Sequence, residues 1–296
     1  MSVADPIRFV ELAISRPPGD KKIMAIISGY FDDSRTDHYV MVVAGLIGDA
    51  DQWDCFENKW DALLRKHDVP YLHMKEMMST SGPFSKWLPR DQHSEEVRDF
   101  FIDVVEAIKI SDLQSYNTVV RLLDLDKFNK KFGLRLKAYP LAVYGCMARI
   151  YKAYPEHIIR LVFDRMEKVD NLLKIAKKYS DGDPVFRGML NYIVPVPLSK
   201  MASAKIVRPL QAADFIAWEI RKLHLKQTEW WEKEDLPDGP NQRFENYKEW
   251  SRERFGSNLT PPRKTLEAVA MHREPNGSVF DYWGLNKVHE ARGGVW

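Results

Sequence analysis

Two aspartates, each preceded by an apolar run, are the first residues in this sequence whose types and positions suggest chemistry. Asp32 follows Ile23–Phe31, and Asp164 follows Ile158–Phe163. Because ligands bind at the carboxyl ends of strands in open α/β sheets, two such acids on parallel neighbouring strands would face one another. Their repulsion would require a shared proton or a cation, and a divalent metal ion is the simplest solution. The alternative is that Asp32 and Asp33 cap a turn and that Asp164 caps the following helix.

A third acid, Asp214, interrupts a helix of small and apolar residues that spans positions 210–217. Burial of an unpaired carboxylate costs several kcal/mol, so Asp214 needs a partner, and a metal ion would provide one. Gln211 lies one turn earlier on the same helix face, where it could orient Asp214 without binding the metal ion itself. The alternative is an ion pair between this acid and one of three nearby cations, Lys200, Lys205 or Arg208.

A weaker pair of candidates is His73 and Glu76, which are separated by three residues. The two side chains can converge on a metal ion only if this segment is helical or tightly turned, and the alternative is that Glu76 is a solvated helix residue. Lysines near these acids, namely Lys75, Lys200 and Lys205, could contact a substrate phosphate, or they could simply keep the surface soluble.

The elements that must position these residues alternate between strands and helices, which is typical of the α/β class. The first two strands are joined by a short polar link, so we expect an antiparallel hairpin. Apolar runs predict strands at Ile23–Phe31, His38–Ile47, Leu113–Leu122 and Ile158–Phe163. The alternating segment Tyr192–Leu198 predicts an edge strand, because Pro195 and Pro197 exclude a central position.

Helical periodicity fills the intervals between these strands. The first helix has Asp49 or Asp51 available as an N-cap, and the last begins with a proline, which fits a first turn. The predicted helices span Asp49–His67, Ser94–Ile110, Lys137–Tyr154, Val169–Tyr179 and Pro209 to about Leu223. Together the elements predict a mixed sheet that is flanked by helices.

The chain divides into three predicted regions: an N-terminal arm at residues 1–21, an α/β domain at 22–224, and a helical C-terminal appendage at 225–296. The appendage is rich in aromatic and charged residues. Trp230, Trp231 and Trp250 could stack on single-stranded bases, although packed helix faces explain these tryptophans equally well.

The composition of the 296 residues is ordinary for a globular protein, with 45% hydrophobic residues and a net charge of +2. This net charge favours no partner. Cys55 and Cys146 both lie in apolar helical patterns, so we expect reduced, buried thiols and a cytoplasmic protein. The sequence shows no signal peptide and no apolar run of the roughly 20 residues that span a bilayer, so we expect no membrane partner.

Several enzyme classes are excluded by the absence of their motifs from the sequence. It contains no Gly-x-Ser-x-Gly elbow, no phosphate loop that ends in Gly-Lys-Ser/Thr, no dinucleotide fingerprint and no His-Glu-x-x-His. Serine hydrolase, P-loop ATPase and zincin functions are therefore not expected, and the acids remain the best candidates for chemistry.

The segments that carry these candidates also occur in a recognisable order: Tyr30–Ser34, Leu72–Glu76, Leu161–Asp164, Ser199–Lys200 and Leu210–Ala217. In this order they resemble the bacterial and phage family called domain of unknown function 3800, over roughly residues 23–222. That family is similar to the ribonuclease H-like superfamily, in which acids on the first strand, a later strand and the last helix surround Mg²⁺ or Mn²⁺. The resemblance implies that Asp32, Asp164 and Asp214 are these metal ligands.

This chain departs from the family pattern in two places. The family commonly has Asp-Glu-Ser-Gly where this chain has Asp32-Asp33-Ser34-Arg35, so the turn lacks its glycine and its second acid is shorter. A further acid often comes from the helix after the third strand, yet Lys137–Tyr154 contains neither Asp nor Glu. Glu76 or Asp33 would have to replace it.

These observations favour a metal-dependent nuclease. Asp32 would bridge two ions about 4 Å apart, Asp164 and Asp214 would each complete one coordination sphere, and Glu76 or Asp33 would orient water. The substrate would be nucleic acid, with DNA and RNA both open. One alternative is a non-catalytic module that binds nucleic acid or protein on the same scaffold, and another is a hydrolase of small phosphoesters.

Overall fold

A mixed β-sheet forms the centre of the protein. The computed structural model describes residues 26–36, 39–89, 91–154, 157–164, 166–179, 181–182, 184–193, 207–231 and 277–280. Within these ranges the strands are β1 Ile26–Arg35, β2 Val40–Gly48, β3 Gln114–Arg121, β4 Ile158–Phe163 and β5 Gly277–Phe280. They lie in the spatial order β4-β1-β2-β3-β5.

Helices cover both faces of this sheet. A short 3₁₀ helix at Gly82–Trp87 lies between the second and third α-helices. The α-helices are α1 Ala50–Lys66, α2 Met74–Ser79, α3 Ser94–Ile110, α4 Leu122–Phe132, α5 Ala138–Ala153, α6 Met166–Tyr179, α7 Pro184–Tyr192 and α8 Arg208–Trp231. The α/β class predicted from the sequence is thus confirmed.

Strand pairing sets the geometry of the sheet edge where the candidate acids lie. β1 pairs with β2 in an antiparallel hairpin, as predicted, and β2 pairs with β3 in the same way. On its other side β1 pairs with β4 in parallel, so the carboxyl ends of β1 and β4 meet at one edge. A short segment of the C-terminal region, β5, adds to β3 in parallel.

The first strand continues further than its apolar residues indicate. We expected it to end at Phe31, but β1 runs on to Arg35, and Asp32 pairs with Ala44 of β2. The hydrogen-bonding partner on β2 stabilises an extended backbone even where the side chains are polar. Asp32 is therefore part of a strand, and the alternative that it caps a turn is wrong.

The helix predictions are accurate where a cap or an abrupt change of composition marks the end. Asp49 caps α1 in a capping box with Gln52, and α3 has the predicted bounds. The later helices are longer than predicted, since α6 begins at Met166 and α8 continues to Trp231. In α8 the residues after Leu223 include four good helix formers and neither Gly nor Pro, so the helix passes through the expected appendage boundary at 225.

Two apolar cores lie on opposite faces of the sheet. Even-numbered residues of β1 and β2, such as Tyr30 and Val42, face α1, α3 and α8, where Trp60 and Phe215 are buried. Odd-numbered residues, such as Phe31, face the other core, which includes residues of α5 and α6. The alternation follows from the period of two in a strand and assigns each side chain at the sheet edge to one face.

Some predictions lie outside the described residues: the arm at 1–21, Lys200, Lys205, most of the edge strand at 192–198, and most of the appendage. Of the predicted edge strand, Tyr192 instead ends α7, and Ile193 forms an isolated parallel bridge to Leu161 of β4. Cys146 is buried as expected, whereas Cys55 is only half-buried, and both thiols are free. None of the described helices combines the length and the apolar character needed to cross a membrane.

Gly45 provides a test of the packing between β1 and β2. A Cβ atom at this position would lie 2.1 Å from the Tyr30 carbonyl oxygen and 2.6 Å from the Phe31 ring. We predict that Gly45→Ala lowers the free energy of unfolding by about 3 kcal/mol, because a backbone must shift to relieve the overlap. Chemical denaturation measures the change. Gly182→Ala is the matched control, since its Cβ would meet nothing within 4 Å; equal effects of the two substitutions would contradict this account.

Candidate functional site

Asp32 and Asp164 lie side by side at the edge of the sheet where β4 ends and β1 continues towards Arg35. Phe31 pairs with Phe163, and the backbone N–H of Asp164 donates to the Phe31 carbonyl at 3.0 Å, which extends the pairing by one residue. Asp32 is buried and faces α8, on the same side of β1 as Tyr30. The matched positions predicted from the sequence are therefore present on adjacent parallel strands.

Asp214 reaches this edge from α8, and a backbone N–H at the start of α2 holds its side chain there. Its Oδ2 accepts a hydrogen bond from the Met74 N–H at 2.8 Å. Of the three cations considered as alternative partners, Arg208 instead pairs with Asp61 at 2.6 Å, whereas Lys200 and Lys205 lie outside the described residues. We call Asp32, Asp164 and Asp214 together the acid edge.

Gln211 fixes the segment that precedes α2 onto α8. Its side chain is fully buried, and its Oε1 accepts hydrogen bonds from the Trp60 Nε1–H at 2.8 Å and the Leu72 N–H at 2.9 Å. Gln211 and Asp214 therefore accept hydrogen bonds from Leu72 and Met74, so that α8 binds the backbone on both sides of His73. Gln211 is thus a positioning residue for the side chain between them, His73.

The charge on Asp32 is poorly compensated. Burial raises the pKa of Asp32 well above its ordinary value, and the neighbouring carboxylates of Asp214, Asp164 and Asp33 raise it further. One hydrogen bond opposes them, from the Asp33 N–H to Asp32 Oδ1 at 2.7 Å. In the absence of a cation the folded protein therefore disfavours ionised Asp32.

Asp214 has a more balanced environment. Burial raises its pKa, and Asp164 does the same, but the hydrogen bond from Met74 and the nearby charges of His73 and Arg221 act in the opposite direction. The attraction is mutual, because Asp214 also stabilises the charged form of Arg221. The two acids thus differ in their charged neighbours: two cationic side chains lower the pKa of Asp214, whereas the charged neighbours that shift the pKa of Asp32 are all acids.

His73 and Glu76 converge as the weaker prediction required. Residues 74–79 form the short helix α2, and His73 Nδ1 lies 3.6 Å from Glu76 Oε1. The other carboxylate oxygen of Glu76 accepts a hydrogen bond from the Tyr71 hydroxyl at 2.8 Å. His73 connects this pair to the acid edge through its attraction to Asp214.

Asp33 and Tyr139 lie on the opposite face of the sheet from Asp32. Asp33 alternates with Asp32 along β1, so it faces the α5 side, where it is half-exposed. Tyr139 is on α5; its pKa is raised by burial and by the charges of Asp33, Asp32 and Asp164. The helix that lacks the expected acid thus brings a neutral hydroxyl towards the aspartates.

Sequence reasoning missed Tyr139 and Arg221. Arg221 lies seven residues after Asp214 on α8, and this spacing places both residues on one helix face, so it could have been found from the sequence. No comparable signal marks Tyr139, because its approach to the acids depends on how α5 packs on the sheet.

Among the described residues, no three or more His, Cys, Asp or Glu side chains form a ready-made metal site. The donor chemistry nevertheless fits a hard divalent cation, since carboxylate oxygens are the ligands that Mg²⁺ and Mn²⁺ prefer, and a cation would neutralise the repulsion at Asp32.

No protein-family model, curated protein or solved structure matches this chain.

Asp32→Asn tests whether the buried charge is a liability in the metal-free protein. Because the pKa of Asp32 is raised by folding, its ionisation destabilises the folded state as pH rises through that raised value, and the cost vanishes below the ordinary Asp pKa of about 3.9. We predict that Asp32→Asn, which keeps the acceptor for the Asp33 N–H, increases the free energy of unfolding at neutral pH by on the order of 1 kcal/mol or more. The gain should shrink on acidification, as followed by denaturation in EDTA.

Asp124→Asn is the control for this experiment. Asp124 is equally buried but lies 3.3 Å from Arg121, so neutralising it removes an ion pair and should destabilise the protein. Stability changes of the same sign in both variants would refute the proposed origin of the Asp32 effect.

Gln211→Met tests the positioning role of the buried amide. The change leaves the Trp60 Nε1–H and the Leu72 N–H without their acceptor, so we predict a loss of about 2–4 kcal/mol in unfolding free energy and faster hydrogen exchange at the Leu72 amide. The surface variant Gln52→Met, which disrupts the capping box of α1, should cost about 1 kcal/mol and leave Leu72 exchange unchanged. Slow exchange at Leu72 in Gln211→Met would argue against this role.

Proposed function

We propose that the acid edge holds Mg²⁺ or Mn²⁺ and that the protein is a metal-dependent phosphodiester hydrolase that acts on nucleic acid. The observation that carries this proposal is the environment of Asp32: a buried carboxylate whose pKa is raised by burial and by three other carboxylates. Natural proteins retain such destabilising clusters at functional sites, where a cation or a shared proton compensates for the repulsion.

The distribution of the acids over the fold supports the same proposal. Asp32 lies on the first strand, Asp164 directly follows a later strand that is parallel to it, and Asp214 lies on α8, the last helix among the described residues. This is the arrangement that the resemblance to the ribonuclease H-like superfamily implies.

The protein residues have separable tasks in this proposal. Asp32, Asp164 and Asp214 supply the carboxylate oxygens, the Met74 N–H fixes the orientation of Asp214, and Gln211 holds the segment that carries His73. When bound, the divalent cation would activate a water molecule and stabilise the leaving oxygen. His73 and Glu76, which lie together beside Asp214, are placed to orient that water or the substrate.

Asp214→Asn tests the metal-dependent activity. The amide still offers an oxygen to the Met74 N–H, but it removes one of the charges that a divalent cation requires. We predict that nuclease activity falls by about 100-fold or more, and that excess Mg²⁺ or Mn²⁺ raises the Tm of the wild type more than that of the variant. Without metal the variant should melt no lower than the wild type, because burial and Asp164 raise the pKa of Asp214 despite the attraction of His73 and Arg221, so the neutral amide removes a net cost of folding.

The assay compares single- and double-stranded DNA, RNA and hybrids with each metal, and calorimetry measures metal binding directly. Asp124→Asn is again the control, since it neutralises a buried acid that pairs with Arg121. Absence of Mg²⁺ and Mn²⁺ binding in the wild type would overturn the hydrolase proposal and favour the non-catalytic binding module. Cleavage of small phosphoesters without cleavage of polymers would restrict the substrate class.

A further inference from the structure

Arg221 lies on α8 beside the acid edge. It follows Asp214 by about two helical turns, so the two residues share one face of α8. One terminal nitrogen donates to the Arg35 carbonyl oxygen at 3.2 Å. Because Arg35 ends β1 three residues after Asp32, the guanidinium is at the same end of the sheet as the acids.

The position of Arg221 is also fixed by an aromatic neighbour. The guanidinium carbon lies 5.7 Å from the centroid of the Trp218 ring, within the range of a cation–π interaction. With the Arg35 carbonyl and the attraction to Asp214, three separate interactions orient the group. Such restraint lowers the entropy cost of binding an anion in one geometry.

Arg221 lacks the carboxylate contact that Arg98, Arg121 and Arg208 have. Arg98, Arg121 and Arg208 each have a carboxylate oxygen within ion-pair distance, at 3.2 Å, 3.3 Å and 2.6 Å respectively. No ion pair of this kind involves Arg221 in the described part of the chain. Its only described carboxylate interaction is the longer-range attraction to Asp214.

The donors of Arg221 are also incompletely used. Its Nε atom is buried without a hydrogen-bond partner, and burial lowers its pKa, which shows that the charged form is held at a cost. An anion with several oxygens could accept from two donors of the guanidinium together, the geometry in which guanidinium binds phosphate. The acids would repel a small free anion, and either a cation at the acid edge or neutralisation of Asp32 would lower this repulsion.

We propose that Arg221 binds a phosphate group of the substrate next to the acid edge. This inference rests on the proposed function, in which the acid edge acts on a phosphodiester. The phosphate would reach across from the acids to Arg221, which would fix the position of the backbone rather than recognise a base. Nucleic-acid strands and small phosphoesters both carry such a group, so the test includes one probe of each kind.

The test measures binding in an Asp32→Asn background, which prevents cleavage and lowers the repulsion of phosphate by the acids. Fluorescence anisotropy follows short labelled single-stranded DNA and RNA oligonucleotides between about 50 and 200 mM KCl in EDTA. We predict that Arg221→Gln weakens binding about tenfold and lowers the slope of log affinity against log salt by about 0.7, the loss of one phosphate contact. Arg221→Lys should keep the slope and recover part of the affinity.

Lys222→Gln is the matched control. Lys222 is the next residue of the same helix, has a side chain that is 40% exposed, and lies 4.0 Å from Glu219. The Lys222→Gln substitution removes the same charge from a neighbouring face of the helix, so its effect on oligonucleotide binding should be small. Equal weakening by Arg221→Gln and Lys222→Gln would overturn the inference in favour of general charge attraction. Unchanged affinity with a lower Tm in Arg221→Gln would also overturn it, since Arg221 would then only anchor Arg35.

Calorimetry with adenosine monophosphate separates the two sources of phosphate. Weaker nucleotide binding in Arg221→Gln, in a protein that does not bind oligonucleotides, would support the phosphate contact and assign it to small phosphoesters.

Failure of the proposed function has a different signature. A wild-type protein that binds no Mg²⁺ or Mn²⁺ but retains the specific Arg221 effect on oligonucleotide binding would lose the hydrolase assignment and keep the phosphate site.

Discussion

The hydrogen bonds from the segment at Leu72–Met74 to α8 hold the candidate site together. Gln211 and Asp214 are polar residues on a helix face that is otherwise packed against the sheet, and each accepts a backbone N–H from this segment. Without these acceptors the N–H groups of a buried segment would be unsatisfied, which proteins avoid because each costs about 1–3 kcal/mol. The same two side chains therefore satisfy the backbone, dock the start of α2 and bring His73 next to Asp214.

At the sheet edge, the same pairing and packing that stabilise the fold bring together acids that repel one another. The parallel pairing of β1 with β4 is favourable for the backbone, yet it sets Asp32 beside Asp164. The apolar residues of α8 are buried against the same face, and their burial removes the water that would solvate Asp32. The packing that stabilises the fold thus also makes the ionised acids of the acid edge unfavourable. A bound cation would attract both Asp32 and Asp164 and so offset their mutual repulsion.

Much of the fold followed from patterns that depend on short stretches of sequence. The N-cap candidates Asp49 and Asp51, the apolar run before Asp164 and the period of α3 each indicate an element, and each element was located correctly. Where long-range pairing decides the structure, the sequence was a weaker guide: β1 extends through Asp32 to Arg35 because β2 provides hydrogen-bonding partners. The pairing of β5 with β3, which adds a segment from near the C-terminus to the sheet, left no local signal either.

The candidate site shows the same division between local and long-range information. The acids were recognisable because a carboxylate at the end of an apolar strand or within an apolar helix is unusual in itself. Arg221 had a local signal in its spacing from Asp214, but an exposed-looking Arg among Glu219 and Lys222 resembles any helix surface. Its lack of a carboxylate in contact could be seen only in three dimensions, because ion pairs such as Arg208–Asp61 join residues far apart in the chain.

Charge balance links these observations into one argument about what the sheet edge can bind. Asp32 has negatively charged neighbours, so a cation would stabilise it. Arg221, at the same end of the sheet, has positive charge and an unpaired donor, so an anion would stabilise it. A ligand of only one sign would leave one of these demands unmet. A metal ion with a phosphate group meets both, since the cation interacts with the carboxylates and the phosphate lies between that cation and the guanidinium. The asymmetry between Asp32 and Asp214 fits this order, because Asp214 is the acid that already has Arg221 as a neighbour.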